Sequence, residues 1–269
     1  MEFLNFLQYA FIQKAFLAGS CIALICSILG LFLVLRKMSL IGDGLSHVSF
    51  GAIALGLFLG LYPFYVAIPI VVLASFLILK IAEKTKVYGD AAIGIVSAIG
   101  ISSGVILASL SNGFNVDLFS YLFGNILSIS NTEVVLSIAL SLIILITIYF
   151  FYWDLFSATF DEEYAKTTGI QISSINVILT ALTAITVVLA VKMAGIMLVS
   201  ALIIFPAVSA LQISRGFRPA IFISATISLA SVILGITLSF FADLPAGATI
   251  VILNTFFFIL AITYKKITL

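Results

Sequence analysis

The sequence predicts an all-helical, polytopic membrane protein: one transmembrane domain over residues 1–269, a bundle of about nine spans (eight or nine). Hydrophobic residues make up 63% of the chain and charged residues only 9%, and the mean hydropathy is +1.35. A soluble domain is far less apolar. The apolar runs are continuous rather than alternating. Because a backbone in lipid must satisfy its own hydrogen bonds, such runs indicate helices rather than barrel strands.

Short polar breaks separate apolar runs of the length that a membrane-spanning helix needs, about 20 residues. The first run has no basic leader and continues beyond the length of a cleavable signal, so we expect it to be retained as a span. The predicted spans cover residues 11–35, 43–60, 62–81, 90–110, 134–153, 173–191, 194–213, 219–241 and 246–264.

The distribution of lysine and arginine predicts the orientation, because short loops rich in these residues stay cytoplasmic. With nine spans and the amino terminus outside, only Lys14 and Lys192 of the 12 basic residues fall outside. The carboxyl terminus is then cytoplasmic. The predicted inside segments hold Arg36, Lys37, Lys80, Lys84, Lys86, Lys166, Arg215, Arg218, Lys265 and Lys266.

Two segments do not read as simple spans. Residues 111–133 are too polar to cross the membrane and too apolar for a solvated loop, so we predict short helices at the outer surface. Residues 156–170 place Glu162 three positions after Thr159, the spacing of a capping box, and Gly169 follows as a helix terminator. This second segment predicts a short cytoplasmic helix.

Asp43 and His47 are the candidate ion ligands, at the inner end of the second span. They lie four residues apart, which places a carboxylate and an imidazole on one helical face. Zinc and manganese both accept this ligand pair, and ionisable groups in a membrane segment usually face a pathway or a bundle interior. The alternative is structural: Asp43 caps the helix and His47 bonds a carbonyl. In a symmetric dimer, two copies would supply four ligands.

Other polar residues carry weaker predictions. Asp117 and Asp243 lie in outward segments, where they could receive a metal or contact a delivering protein; the alternative is an ordinary solvated acid. Ser46 and Ser49 flank the acid and imidazole pair, and they line a path or serve close helix packing.

No phosphate-binding GxxxxGK[ST] run occurs in the sequence, so the chain is not expected to bind ATP or act as an enzyme. The net charge is +1 and no basic run suggests nucleic acid. Pro206 interrupts the seventh span, and the following residues 210–219 include Arg215 and Arg218. This region predicts either a short helix that a soluble partner grips or an ordinary basic loop.

At these motifs the sequence resembles the permease family of bacterial zinc, manganese and iron ATP-binding cassette (ABC) importers, over nearly the whole chain. Several stretches are most similar to the zinc branch. The resemblance rests on five ordered segments, Arg36–Gly56, Val116–Ser130, Phe160–Ile170, Lys192–Ala207 and Asp243–Ile252.

The resemblance implies a homodimer in the bacterial inner membrane, two cytoplasmic ATP-binding cassette subunits and an extracytoplasmic metal-binding protein. Its architecture is similar to the type II, vitamin B12 importers. The family's ATPase-docking loop matches residues 207–219, which directs attention to Pro206, Arg215, Gly216 and Arg218.

Asp43 and His47 match the family's D-x-x-x-H motif, which implies a transport pathway rather than a permanent cofactor site. The implied cargo is Zn²⁺, with Mn²⁺ or Fe²⁺ as alternatives. Two rivals stay open: a chelate or corrinoid permease, which needs a wider path, and a gradient-driven secondary transporter, which tends to bury several carboxylates.

Overall fold

The computed structural model describes residues 8–85, 89–111, 124, 129–196 and 199–268. All regular secondary structure in these ranges is helical, as predicted. The helices are α1 (Ala10–Leu35), α2 (Ile41–Phe58), α3 (Pro63–Thr85), α4 (Gly89–Leu110), α5 (Asn131–Phe150), α6 (Tyr152–Phe160), α7 (Glu162–Thr167), α8 (Ile172–Ala194), α9 (Val199–Ile213), α10 (Phe217–Ala242) and α11 (Ala246–Thr268).

Within the described ranges, eight helices are long and apolar enough to cross a membrane: α1 to α5, α8, α10 and α11. Helix α9 is apolar but has only 15 residues. The predicted seventh span, residues 194–213, therefore begins too early. Helix α8 continues to Ala194 and ends at Gly195, whose φ of +83° is a conformation that side chains rarely adopt.

Helix α2 occupies the interior of the bundle. It is the most polar of the eight long helices and also the most completely buried, packed against α3, α4, α8 and α9. Small residues bring α4 close to it. A Cβ atom added at Gly100 would lie 2.6 Å from the Cα atom of Val48, and one at Gly51 would overlap the carbonyl oxygen of Gly100. Such close backbone contact is typical of helix packing in membranes.

Helix α1 is fixed by hydrogen bonds and by a glycine contact. The Ser224 hydroxyl of α10 donates to the Ser27 carbonyl over 3.1 Å, and the Ser228 hydroxyl donates to the Ala23 carbonyl over 2.9 Å. On α9, the carbonyl oxygen of Ile203 occupies the space where a Gly30 side chain would begin. Polar side chains and small residues hold these helices together without a hydrophobic driving force between them.

The segment predicted as one cytoplasmic helix forms two. Thr159 lies inside α6, where its hydroxyl donates to the Leu155 carbonyl over 2.6 Å. Asp161, in extended conformation, caps α7 by accepting from the Tyr164 amide over 2.8 Å. The predicted capping box is therefore wrong, because an aspartate closer to the helix start takes the capping position. Gly169, with φ of +88°, follows the end of α7 as predicted.

The other irregular segment, residues 111–133, lies mostly outside the described residues, which lack 112–123 and 125–128. Its last part belongs to α5. The Ser130 hydroxyl accepts from the Glu133 amide over 3.2 Å, and a Glu133 carboxylate oxygen accepts from the Ser130 amide over 2.7 Å. This capping box begins α5 three residues before the predicted span at 134.

The contact with Ile203 leaves no room for a side chain at Gly30. We expect Gly30→Ala to lower the free energy of unfolding by about 1–3 kcal/mol, because the methyl group forces α1 and α9 apart. Gly94→Ala is the matched control, since nothing lies within 4 Å of a Cβ atom there. Thermal denaturation of both variants in detergent measures the effect. Equal midpoints would contradict the packing described.

Candidate functional site

Asp43 and His47 lie on the first two turns of α2 and face each other. The Nε2 atom of His47 is 3.8 Å from the Oδ2 atom of Asp43, too long for a direct hydrogen bond. The Asp43 side chain is 49% exposed and that of His47 25% exposed in the single chain. Most of α2 is buried, but the side chains of Asp43 and His47 remain partly exposed.

Neither structural alternative for the pair is observed. Leu40 is the N-cap residue of α2 and makes no side-chain capping bond, while Asp43 lies inside the first turn. The Oδ1 atom of Asp43 instead accepts a hydrogen bond from the Ser200 hydroxyl of α9 over 3.2 Å. The Nδ1 atom of His47 is buried without a hydrogen-bond partner. The role of the pair as metal ligands stays a prediction.

Two helix N-termini lie beside the Asp43 carboxylate. Asp43 belongs to the first turn of α2, and its partner Ser200 belongs to the first turn of α9. The positive ends of helix dipoles favour a negative charge within the first turn. The amide groups in the first turn of α2 and the Ser200 hydroxyl thus present partial positive charge near this carboxylate. The sequence alone does not reveal Ser200, because 157 positions separate it from Asp43.

One chain by itself contributes few metal ligands. Among the residues that the structure describes, no group of three or more His, Cys, Asp or Glu side chains could hold a metal ion. Asp243 is therefore not brought into such a group with Asp43 and His47; it is exposed and ends α10 in a left-handed conformation with φ of +53°. Asp117 lies outside the described residues.

The two serines near the pair differ in their surroundings. Both are fully buried. The Ser46 hydroxyl donates to the Asp43 carbonyl over 2.7 Å, an ordinary bond within the helix. The Ser49 hydroxyl has no hydrogen-bond partner. Ser49 is thus a buried polar group of α2 without a hydrogen-bond partner, and the Ser46 hydroxyl is satisfied within the helix.

No separate helix spans residues 210–219, which corrects one of the two alternatives for this region. Helix α9 continues through Pro206 to Ile213, and α10 begins at Phe217. Pro219 fits the first turn of α10, where a missing N–H group leaves no bond broken. Only three residues, Ser214 to Gly216, connect the two helices.

The predicted coupling residues have different environments. Pro206 is buried within α9, whereas Arg215, Gly216 and Arg218 are exposed. The guanidinium carbon of Arg218 lies 5.5 Å from the ring centroid of Trp153 in α6, a cation–π contact. Gly216 has φ of −179°, extended backbone that any residue adopts.

Phe217 is the centre of an aromatic cluster that joins this connection to α1 and α6. The cluster consists of Phe32, Phe156, Phe160 and Phe217. The Phe217 ring centroid lies 5.1 Å from that of Phe32, 5.3 Å from that of Phe156 and 5.6 Å from that of Phe160. Aromatic pairs at these separations attract beyond simple area burial.

An ion pair lies at the end of α1. A guanidinium nitrogen of Arg36 is 3.8 Å from a carboxylate oxygen of Glu162 in α7. The Arg36 side chain is only 8% exposed, and this burial lowers the pKa of its guanidinium while Glu162 opposes the shift. The pair lies at the start of the connection that leads from α1 into α2.

Comparison with known proteins identifies the family. The sequence matches the ABC 3 transport family over residues 8–265, nearly the whole chain. The chain belongs to this family. It is therefore a multi-pass permease subunit of a metal ABC importer, which confirms the resemblance inferred from the motifs.

Relatives of this ABC 3 permease are named for three different metals. The high-affinity zinc uptake system membrane protein ZnuB of Haemophilus influenzae is 34% identical over 96% of the chain and 99% of its own length. The manganese transport system membrane protein MntC of Halalkalibacterium halodurans is 31% identical over 96% and 89%. A probable iron transport system membrane protein of Haemophilus influenzae is 31% identical over 97% and 96%.

Solved structures support the architecture. PsaBC from Streptococcus pneumoniae, in complex with Fab, matches with a TM-score of 0.89 and 30% identity over 100% of this chain and 99% of that one. A metal-chelate type ABC transporter in an inward-facing conformation matches with a TM-score of 0.77 over 94% and 85%. At 14% identity, the second likeness concerns the fold alone. The predicted importer-type helical bundle is confirmed.

The Arg36 ion pair predicts unequal effects of two neighbouring acids. We expect Glu162→Ala to destabilise the permease by about 1 kcal/mol, because it leaves a buried guanidinium without its partner while solvent screens the exposed carboxylate. Glu163→Ala is the matched control, one position along the same short helix. Thermal denaturation in detergent compares them. If both variants unfold at the same temperature, the ion pair contributes nothing to stability.

Proposed function

We propose that this ABC 3 permease carries a bare divalent metal ion into the cytoplasm, with zinc as the first candidate and Asp43 and His47 as transient ligands. The observation that supports this proposal is the geometry of the two side chains on α2, the most buried and most polar of the eight long helices. A carboxylate oxygen faces an imidazole nitrogen at 3.8 Å, and the other imidazole nitrogen has no protein partner. Oxygen and nitrogen donors in this arrangement suit zinc, manganese and iron.

The permease works as a homodimer by alternating access. Two side-chain ligands from each copy give the four that a zinc first shell takes, and a pathway at a twofold axis uses the half-exposed face of Asp43. Each chain supplies only two of these ligands and binds an ion weakly by itself. The ion can therefore leave after the bundle reorients. No covalent chemistry occurs in this chain.

ATP hydrolysis belongs to two cytoplasmic partner subunits. They dock at the connection between α9 and α10, where Arg215, Gly216 and Arg218 are exposed, and Pro206 lies within the helix that leads there. The basic residues at this end are consistent with an outside amino terminus and a cytoplasmic carboxyl terminus. An extracytoplasmic metal-binding protein docks on the opposite surface, where the exposed Asp243 lies.

Manganese and iron are the alternatives to zinc. Three features support zinc: the histidine and aspartate pair, the four ligands of a dimer and the relative named for zinc uptake. Relatives named for manganese and for iron support those two alternatives. The same ligand pair suits all three ions, because ligand type alone distinguishes them poorly.

The ligand pair predicts loss of uptake without loss of assembly. The test uses proteoliposomes that contain the permease, its ATPase subunits and the binding protein. We expect Asp43→Asn and His47→Ala each to lower ion uptake by about 100-fold, because the loss of one of few ligands weakens binding of the ion. Asp90→Asn, an exposed acid at the start of α4, is the control. Normal uptake by both variants would show the pair to be structural.

The metal preference is measured in the same vesicles. We expect zinc to stimulate ATP hydrolysis most strongly when zinc, manganese and iron are supplied in turn with the loaded binding protein. Uptake of each ion is measured in parallel, in anaerobic buffer that keeps the iron divalent. Stronger stimulation by manganese or iron would assign the permease to that metal and leave the ligand pair in place.

A further inference from the structure

Helix α9 connects the ligand pair to the exposed connection at its other end. Ser200 lies in its first turn, and Ile213 at its last position adjoins residues 214–216. Among the residues that the structure describes, Ser200 is the only side chain that donates a hydrogen bond to the Asp43 carboxylate. One short helix therefore contacts both the candidate ligand and the candidate coupling segment.

The two oxygens of Asp43 have different neighbours. Oδ1 accepts the hydrogen bond from the Ser200 hydroxyl over 3.2 Å, while Oδ2 faces Nε2 of His47 at 3.8 Å. The hydroxyl thus sets the rotation of the carboxylate plane. It leaves Oδ2 directed toward the imidazole, where an ion shared by the two side chains would sit.

Helix α9 is packed so that its movement reaches this hydrogen bond. Ile203, one turn after Ser200, is fully buried, and its carbonyl oxygen abuts Gly30 of α1. A Cβ atom at Gly42, the residue before Asp43, would lie 2.9 Å from the Cδ1 atom of Ile203. Close-packed contacts of this kind transmit displacement rather than absorb it.

We propose that Ser200 is a positioning residue that links displacement of α9 to the orientation of the Asp43 carboxylate. This inference rests on the proposed function of Asp43 and His47. With the hydrogen bond in place, the carboxylate is held for the ion. When α9 moves with the coupling segment, the bond breaks, the carboxylate rotates freely about its last torsion and the ion loses its fixed geometry.

The test compares two serines of the same helix in the complete transporter. Ser200→Ala removes the bond to Asp43. Ser209→Ala is the matched control, because the Ser209 hydroxyl donates to the Phe205 carbonyl within α9 itself. Ser200→Thr keeps a hydroxyl. Ion uptake and ATP hydrolysis are measured together in proteoliposomes, with the loaded binding protein and each metal alone, and expressed as ions moved per ATP.

We expect Ser200→Ala to lower the number of ions moved per ATP by about tenfold, the lower range seen when a ligand loses its hydrogen-bonded support. Ser200→Thr restores most of the ratio, and Ser209→Ala leaves it unchanged. An unchanged ratio in Ser200→Ala, or an equal fall in Ser209→Ala, would overturn the proposal.

A second measurement separates this proposal from the function on which it rests. If Asp43→Asn abolishes uptake while Ser200→Ala keeps a normal ratio, the ligand role holds and the positioning role is wrong. If Asp43→Asn itself transports normally, the proposed function fails first. In the double variant Asp43→Asn with Ser200→Ala, we expect no further loss beyond Asp43→Asn, because both changes break the same interaction.

Discussion

The structure depends on the contact between the Asp43 carboxylate, in the first turn of α2, and the Ser200 hydroxyl of α9. An ionisable side chain in a membrane segment is costly unless other groups hydrogen-bond to it. Asp43 meets this cost through the first turns of two helices and a hydroxyl from α9. The hydroxyl reaches Asp43 because α9 packs against α2. Helices α3, α4 and α8 also pack against α2.

Close helix contacts make this interior arrangement rigid. Lipid tails are as apolar as leucine side chains, so burial of apolar area does not by itself drive helices together in a membrane. Gly30 and Gly100 instead allow backbones to touch, and buried serines of α10 donate to carbonyls of α1. The result is a fixed frame in which α9 contacts both α1 and the start of α2. A short helix in a rigid frame suits the transfer of movement better than a flexible loop would.

The opposite end of α9 adjoins a second set of specific contacts. The aromatic cluster packs α10 against α1 and α6, and Arg36 pairs with Glu162 just beyond it. Segments far apart in sequence therefore meet where partner subunits are proposed to dock. The connection from Arg36 to Ile41 leads directly into α2, so this end and the ligand pair are joined by a covalent route through α1–α2 and by a route through α9 that ends in the Ser200 hydrogen bond.

Sequence by itself determined the all-helical membrane fold, the eight or nine spans, the family and the spacing of Asp43 and His47, because hydropathy and a one-turn spacing are local properties. It misplaced the start of α9 by five residues, because α8 continues to Ala194 before Gly195, and the cap of α7 by two, because Asp161 rather than Thr159 caps that helix. Only the tertiary structure decided that Ser200 bonds Asp43 and that Gly30 meets Ile203. Those contacts join distant positions, and their formation depends on how whole helices pack, which no local pattern encodes.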